Sequence, residues 1–170
     1  MIDLKKKEEV DPEKQASQFL LLMGWLQDAG YEHYEISNFA KPGYRSKHNS
    51  SYWQRKTYIG IGPSAHSFDG DSRRWNVSNN ALYIQSLQKN SIPYEEEKLT
   101  DVQKLNEYIM TSLRTIEGID LDFVEKTFGE EKKIKLQAAN VKYVKNHKLL
   151  PIAIGTINYN LILTNEGKLF

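Results

Sequence analysis

The chain has 170 residues, 39% of them hydrophobic, and 23 basic against 22 acidic side chains leave a formal charge of +1. That composition suits a globular protein with a sizeable core and excludes the strong field of a nucleic-acid or acidic-membrane binder. The absence of cysteine excludes disulfides, zinc ribbons, a thiol nucleophile and a thiolate-held iron–sulfur cluster within these residues. No stretch of about 18 apolar residues marks a transmembrane helix. The charged first ten residues lack the apolar centre of a signal peptide, so a cytoplasmic location is expected.

Taken in order, Asp11 is an N-cap and Pro12 holds the favoured first helical position. Ala16, Phe19, Leu20, Met23 and Leu26 form a helical stripe and Gly30 a stop, which predicts a helix over 12–29. Tyr34 and Ile36 alternate with Glu35 and Ser37, predicting one strand over 31–39. The segment 44–53 has no clean period and reads as an ordered loop with one helical turn. A second strand is expected over 57–61, a hairpin turn at Asp69-Gly70-Asp71 and a returning strand over 73–77. From Asn79 the pattern turns helical. Asn79 or Asn80 caps one helix, and Glu95, Glu96 and Glu97 make an acidic connector. Thr100 and Gln103 form a capping box for a helix stopped at Gly118. Asp120 caps a short helix, a longer one covers 130–147, and a hairpin spans 149–163. This order, three helices and a hairpin, is that of a winged-helix-like module, with a domain boundary near 77–80.

Few residues offer chemistry. His48, in HNSSYW, reads either as a ligand for iron or haem, with Tyr52 and Trp53 as flat surface for a macrocycle, or as a loop tie made with Asn49. Gly60-x-Gly62-x-x-Ala65 matches the dinucleotide fingerprint literally. Pro63 and the nearby Asp69-Gly70 turn leave it no helix, and no acidic residue follows at the required distance. The better reading is a strand end where small residues admit a close backbone or a ligand. His66 there is either a site residue or a buried structural histidine. Glu35 and Ser37 either face the same mouth or form the solvent side of an edge strand. His33 and His147 are expected to be exposed. Lys132, Lys133, Lys135, Lys142, Lys145 and Lys148 give the late helix a basic look, but Glu130 and Glu131 beside them favour a solvated face over a nucleic-acid interface.

Four segments in series, YEISNFAKPG, HNxxYW (48–53), YIGIGPSAHSF and RWN (74–76), resemble the radical SAM HemN/HemW family of oxygen-independent coproporphyrinogen III oxidases and haem chaperones. The resemblance covers nearly the whole chain and favours the chaperone branch, because HNxxYW is associated with haem binding there. It implies an α/β fold in two parts. Residues 1–78 would be the last α/β unit of a partial (β/α)6 radical SAM barrel with its extension. Residues 79–170 would be a mostly helical, winged-helix-like C-terminal domain. It implies further that an N-terminal radical SAM domain, carrying a CxxxCxxC loop with a [4Fe–4S] cluster and S-adenosylmethionine, is missing from this chain.

By the same resemblance, His48 becomes the haem-iron ligand, supported by Asn49, Tyr52 and Trp53. Gly60, Gly62, Ala65 and His66 border the S-adenosylmethionine and substrate side. The implied function is haem binding and transfer to acceptor proteins, including membrane-bound respiratory enzymes. The alternative is a part of an oxidase that decarboxylates coproporphyrinogen III to protoporphyrinogen IX. No catalysis is expected of these residues alone. The expected partners are haem or a porphyrin, the haem acceptors and the missing domain. No nucleic acid is expected, and unpaired barrel strands would invite self-association.

Overall fold

A computed structural model of the chain describes residues 11–154 and 158–169. Helix α1 (Pro12–Asp28) starts where Asp11 accepts from the amides of Glu13 and Lys14. It ends in a Schellman turn: Gly30 (φ 77°) donates to Gln27 O and Tyr31 to Leu26 O. The expected single strand over 31–39 is instead a hairpin, β1 (Glu32–Glu35) with β2 (Asn38–Ala40). The Glu35 carboxylate causes the reversal. It accepts from Ser37 N at 2.9 Å and from the Asn38 side-chain amide, closing the turn on itself.

Residues 47–53 form a seven-residue helix, α2 (Lys47–Trp53), where a loop with one turn is expected. Ser46 caps it by accepting from Asn49 N. The expected strand over 57–61 reduces to one bridge, Tyr58 to Phe68. Two glycines and Pro63 keep this segment from laddering, and side chains satisfy its backbone instead. β3 (His66–Phe68) and β4 (Ser72–Asn76) pair across the expected Asp69-Gly70-Asp71 turn. There the Ser72 hydroxyl, with the Ser72 and Asp71 amides, holds the Asp69 carboxyl down at about 2.

α3 (Asn80–Gln88) is capped by Asn79, as expected. The acidic stretch after it is not a connector but strand β5 (Tyr94–Lys98), paired with β4 so that Arg73, Arg74 and Trp75 oppose Glu97, Glu96 and Glu95. Every residue of β5 is exposed, so no apolar alternation betrays it, and cross-strand charge pairing takes the place of burial. The sheet β3–β4–β5 thus runs from residue 66 to residue 98.

α4 (Asp101–Leu113) begins at the Thr100–Gln103 capping box. It ends five residues before Gly118, because the chain beyond it is captured by the first hairpin: Ile36 N donates to Arg114 O and Ile116 N to Tyr34 O. β6 (Ile119–Asp120), α5 (Leu121–Phe128), α6 (Glu130–Lys145), β7 (Leu149–Ile154) and β8 (Asn158–Leu163) follow, with a 3-10 turn at Gly167–Leu169. The antiparallel order is β6–β8–β7. The tip of the expected 149–163 hairpin lies outside the described residues. Ile119, Leu121, Val124 and Leu161 are at most 2% exposed and form the core of this part. On α6, Lys133 pairs with Glu125 and Asp122, and Lys135 with Glu131, so these lysines belong to a solvated, internally paired face. Among the described residues no helix is long and apolar enough to cross a membrane.

Candidate functional site

Helix α2 divides its residues by the four-residue period that puts i and i+4 on one side. His48 and Tyr52 share the outer side, their rings edge to face at 5.1 Å. His48 is exposed and Tyr52 40% exposed. Among the described residues, no hydrogen bond engages either ring nitrogen of His48. Asn49 and Trp53 share the inner side and are partly buried. The Asn49 amide donates to Asn38 Oδ1 at 3.4 Å, and the Trp53 ring lies under the Arg114 guanidinium at 4.7 Å. Asn49 thus ties α2 to the β1–β2 hairpin.

These inner contacts converge on Glu35. Its side chain is fully buried and accepts from Arg114 Nη2 at 2.5 Å, from Ser37 N and from the Asn38 amide. Glu35 is therefore neither at a site mouth nor on the solvent side of an edge strand. It is the hub that fixes β1–β2, α2 and the end of α4 to one another. Trp53 Nε1 and Arg114 Nε are buried donors with no partner among the described residues, and stacking of the cation on the indole is their main interaction. Outside the hub, Arg45 chelates Glu32 at 2.6 and 2.8 Å and reaches Glu117 at 2.6 Å, holding the approach to α2. Both carboxylates raise the Arg45 pKa above its usual value. The segment that presents His48 is thus braced from behind by charge and stacking, not by an apolar core.

From Tyr52 the aromatic contacts continue to Tyr58 at 5.0 Å and from Tyr58 to Phe68 at 6.2 Å. Tyr58 also lines a cleft of about 810 Å³, with Ile59, Gly60, Arg74, Asn76 and Tyr94 among its walls. This lies within the size range of small-molecule sites. Gly60 in its wall opens the Gly60–Gly62 segment, whose small residues are required. A Cβ on Gly60 would lie 2.2 Å from His66 O, and Gly62 has φ +104°. Asn76, in the RWN segment, donates its side-chain amide to Gly62 O at 2.9 Å and to Gly60 O at 3.3 Å. Ser67 Oγ and Tyr83 OH accept from the two glycine amides. Ala65 O accepts from Asn76 N. Replacing Gly60 by alanine is expected to displace this segment and to cost about 1–3 kcal/mol, the range for overpacking against a fixed neighbour. Amide chemical shifts across 59–67 and a urea unfolding curve check it; unchanged shifts would refute the close approach.

The two candidate histidines are not brought together. His66 is exposed and opposes Trp75 across the ladder, ring centroids 6.4 Å apart, beside a separate groove of about 430 Å³. His33, expected to be exposed, is half-buried and stacked on Phe39 at 4.1 Å. His147 is exposed, as expected, with φ +54°. Among the described residues no group of three His, Cys, Asp or Glu side chains is placed to hold a metal ion. Sequence reasoning missed the hub formed by Glu35, Asn38 and Arg114. The legible signal was the four-residue spacing of Asn49 and Trp53, which requires an inward partner once 47–53 is helical.

The fold matches part of a solved radical SAM enzyme. The solved structure of coproporphyrinogen III oxidase (HemN) from Escherichia coli superposes over 94% of this chain and 39% of its own, with a TM-score of 0.66 and 15% identity. The heme chaperone HemW of Bacillus subtilis is 33% identical over 120 residues, 70% of this chain and 31% of that protein. The heme chaperone HemW of Lactococcus lactis is 31% identical over 138 residues, 81% of this chain and 36% of its own. No family model matches the chain. The chain belongs to the HemN/HemW family of radical SAM proteins. It spans about a third of the length of these curated relatives. With no cysteine, these residues do not fit a thiolate-held cluster.

Proposed function

We propose that this chain is the haem-handling portion of a haem chaperone, with His48 as the ligand to the iron of the cargo. The observation that carries the reading is His48 itself: an exposed imidazole with both ring nitrogens free among the described residues, set edge-on to Tyr52 on a helix braced from behind. That arrangement suits a planar, iron-bearing cargo. The imidazole supplies the ligand, and Tyr52 and Tyr58 supply flat apolar surface leading to the cleft. Asn49 and Trp53 act as positioning residues, fixing α2 through Asn38, Glu35 and Arg114. The two relatives named as heme chaperones support the same reading.

In this reading, residues 1–78 are the end of a partial radical SAM barrel. Residues 79–170 are a winged-helix-like C-terminal domain, with β5 reaching back to complete the sheet of β3 and β4. The cluster and S-adenosylmethionine belong to parts of the relatives outside the matched third, and the Gly60, Gly62, Ala65 and His66 loop faces that side. Leu21 and Trp25, 55% and 67% exposed on α1, support packing of this face against further protein. Haem then passes to acceptor proteins.

A second reading, part of a coproporphyrinogen III oxidase, draws on the structural likeness to HemN and on the cleft beside Gly60, where these residues would shape a pocket rather than perform the chemistry.

Titration of the chain with haemin, followed in the Soret band, tests the first reading. Saturable binding is expected. The expected loss is at least about tenfold in affinity for His48→Ala, with His66→Ala unchanged. Binding indifferent to His48, or absent from the wild type, would refute it.

A further inference from the structure

A second cleft, of about 450 Å³, lies away from α2, between α1, the β1–β2 hairpin and the β7–β8 pair. Its walls are largely apolar, with Met23, Phe39, Leu150 and Ile162 among them, and a basic pair stands in it. His33 Nε2 lies 2.9 Å from Ile36 O, which can only accept, so this nitrogen carries the proton. Nδ1 is then the bare nitrogen, and Lys168 Nζ donates to it at 3.3 Å. The Lys168 amine is half-buried against a neutral partner, and no carboxylate acts on it among the described residues. Glu35, the acid nearest His33 in effect, is committed to Arg114. A half-buried ammonium over apolar walls, without a counter-ion among the described residues, is complementary to an anion that carries a hydrocarbon body.

We propose that this cleft binds a small amphiphile with one carboxylate, its anionic head on Lys168 Nζ and its chain against Met23, Phe39 and Ile162. His33 is a positioning residue that holds the amine toward the mouth. Burial lowers both basic groups from their ordinary values, and a bound carboxylate reverses that tendency at Lys168. This site shares no residue with α2 or the Gly60 segment, so it stands whether or not His48 binds haem.

Calorimetric titration of the full chain with sodium octanoate, against 1-octanol as the neutral probe of equal chain length, tests the proposal. Octanoate is expected to bind saturably at one site, at least about tenfold more tightly than octanol, the worth of one charge-assisted contact. Lys168→Met and Lys168→Gln are expected to remove that advantage, and Lys168→Arg to keep it. The 15N shifts of the His33 ring should move with octanoate and stay with octanol. Equal binding of the two probes, full octanoate affinity in both neutral variants, or no saturable octanoate binding overturns the proposal. The comparison of probes on the wild-type chain decides even if a variant fails to fold.

Discussion

Arg114→Met is expected to lower the unfolding free energy by about 3 kcal/mol, the low end of the range for removing one partner of a buried ion pair. The low end applies because the two partners are unequal. The Glu35 side chain is fully buried, whereas 33% of the Arg114 side chain reaches solvent. Methionine removes the guanidinium that stacks on Trp53 and leaves a carboxylate in the interior with, among the described residues, Ser37 N and Asn38 to solvate it. The cost is that of an uncompensated charge, and the design follows from this. Glu35→Gln in the Arg114→Met background removes the stranded charge and keeps an acceptor for Ser37 N. The double variant should therefore recover about 1–2 kcal/mol of the loss, a coupling within the range for residues in direct contact. Urea unfolding of the four proteins measures it. Additive losses would show that the two groups do not act as a pair. Because the same pair braces α2, Arg114→Met should also weaken haemin binding although His48 is intact.

The hub also shows what sequence reading can and cannot reach. Devices that close within a few residues are legible: the Asp11–Pro12 start and Gly30 stop of α1, the Asn79 cap of α3, the capping box of α4 and the Asp120 cap of α5. Each places its signal and its consequence within one turn of helix. α2 is hidden because Lys47–Trp53 has no apolar stripe; its inward side is an amide and an indole that find a charged partner, not a core. β5 is hidden because its stability lies in opposed charges on a strand fully open to water. Alternation misleads at 31–39 because Glu35 folds the chain back upon itself. Glu35 and Arg114 stand 79 positions apart, and nothing local in either segment announces the other. Of the candidate site, the motif residues were legible as a set. Their division into an outward pair, His48 with Tyr52, and an inward pair, Asn49 with Trp53, required the helix.

Ile119→Ala is expected to cost about 3 kcal/mol and Ile119→Val about 1 kcal/mol, within the ranges for deleting buried aliphatic carbons. Ile119 is 0% exposed and sits in the two-residue strand β6, opposite Leu161 of β8. Gly118 before it has φ +69°, and its Cα faces Leu161 O so closely that a Cβ would stand 2.3 Å from that oxygen. The backbone on that side cannot sink to fill the space left by a truncated side chain. Val124, also 0% exposed, closes the other side from α5. A cavity that cannot collapse carries the full cost of its lost contacts. Urea unfolding measures both substitutions, and a cost below about 1 kcal/mol for Ile119→Ala would mean that β6 and β8 close over the gap. The two large losses separate by a second readout. No residue of α2 or of the Glu35 hub is among the described hydrophobic residues that form or pack against the Ile119 core, so below its unfolding transition Ile119→Ala should bind haemin as the wild type does. Arg114→Met should not. Equal impairment of haemin binding in both would place the effect in global stability and remove the hub from the positioning of His48.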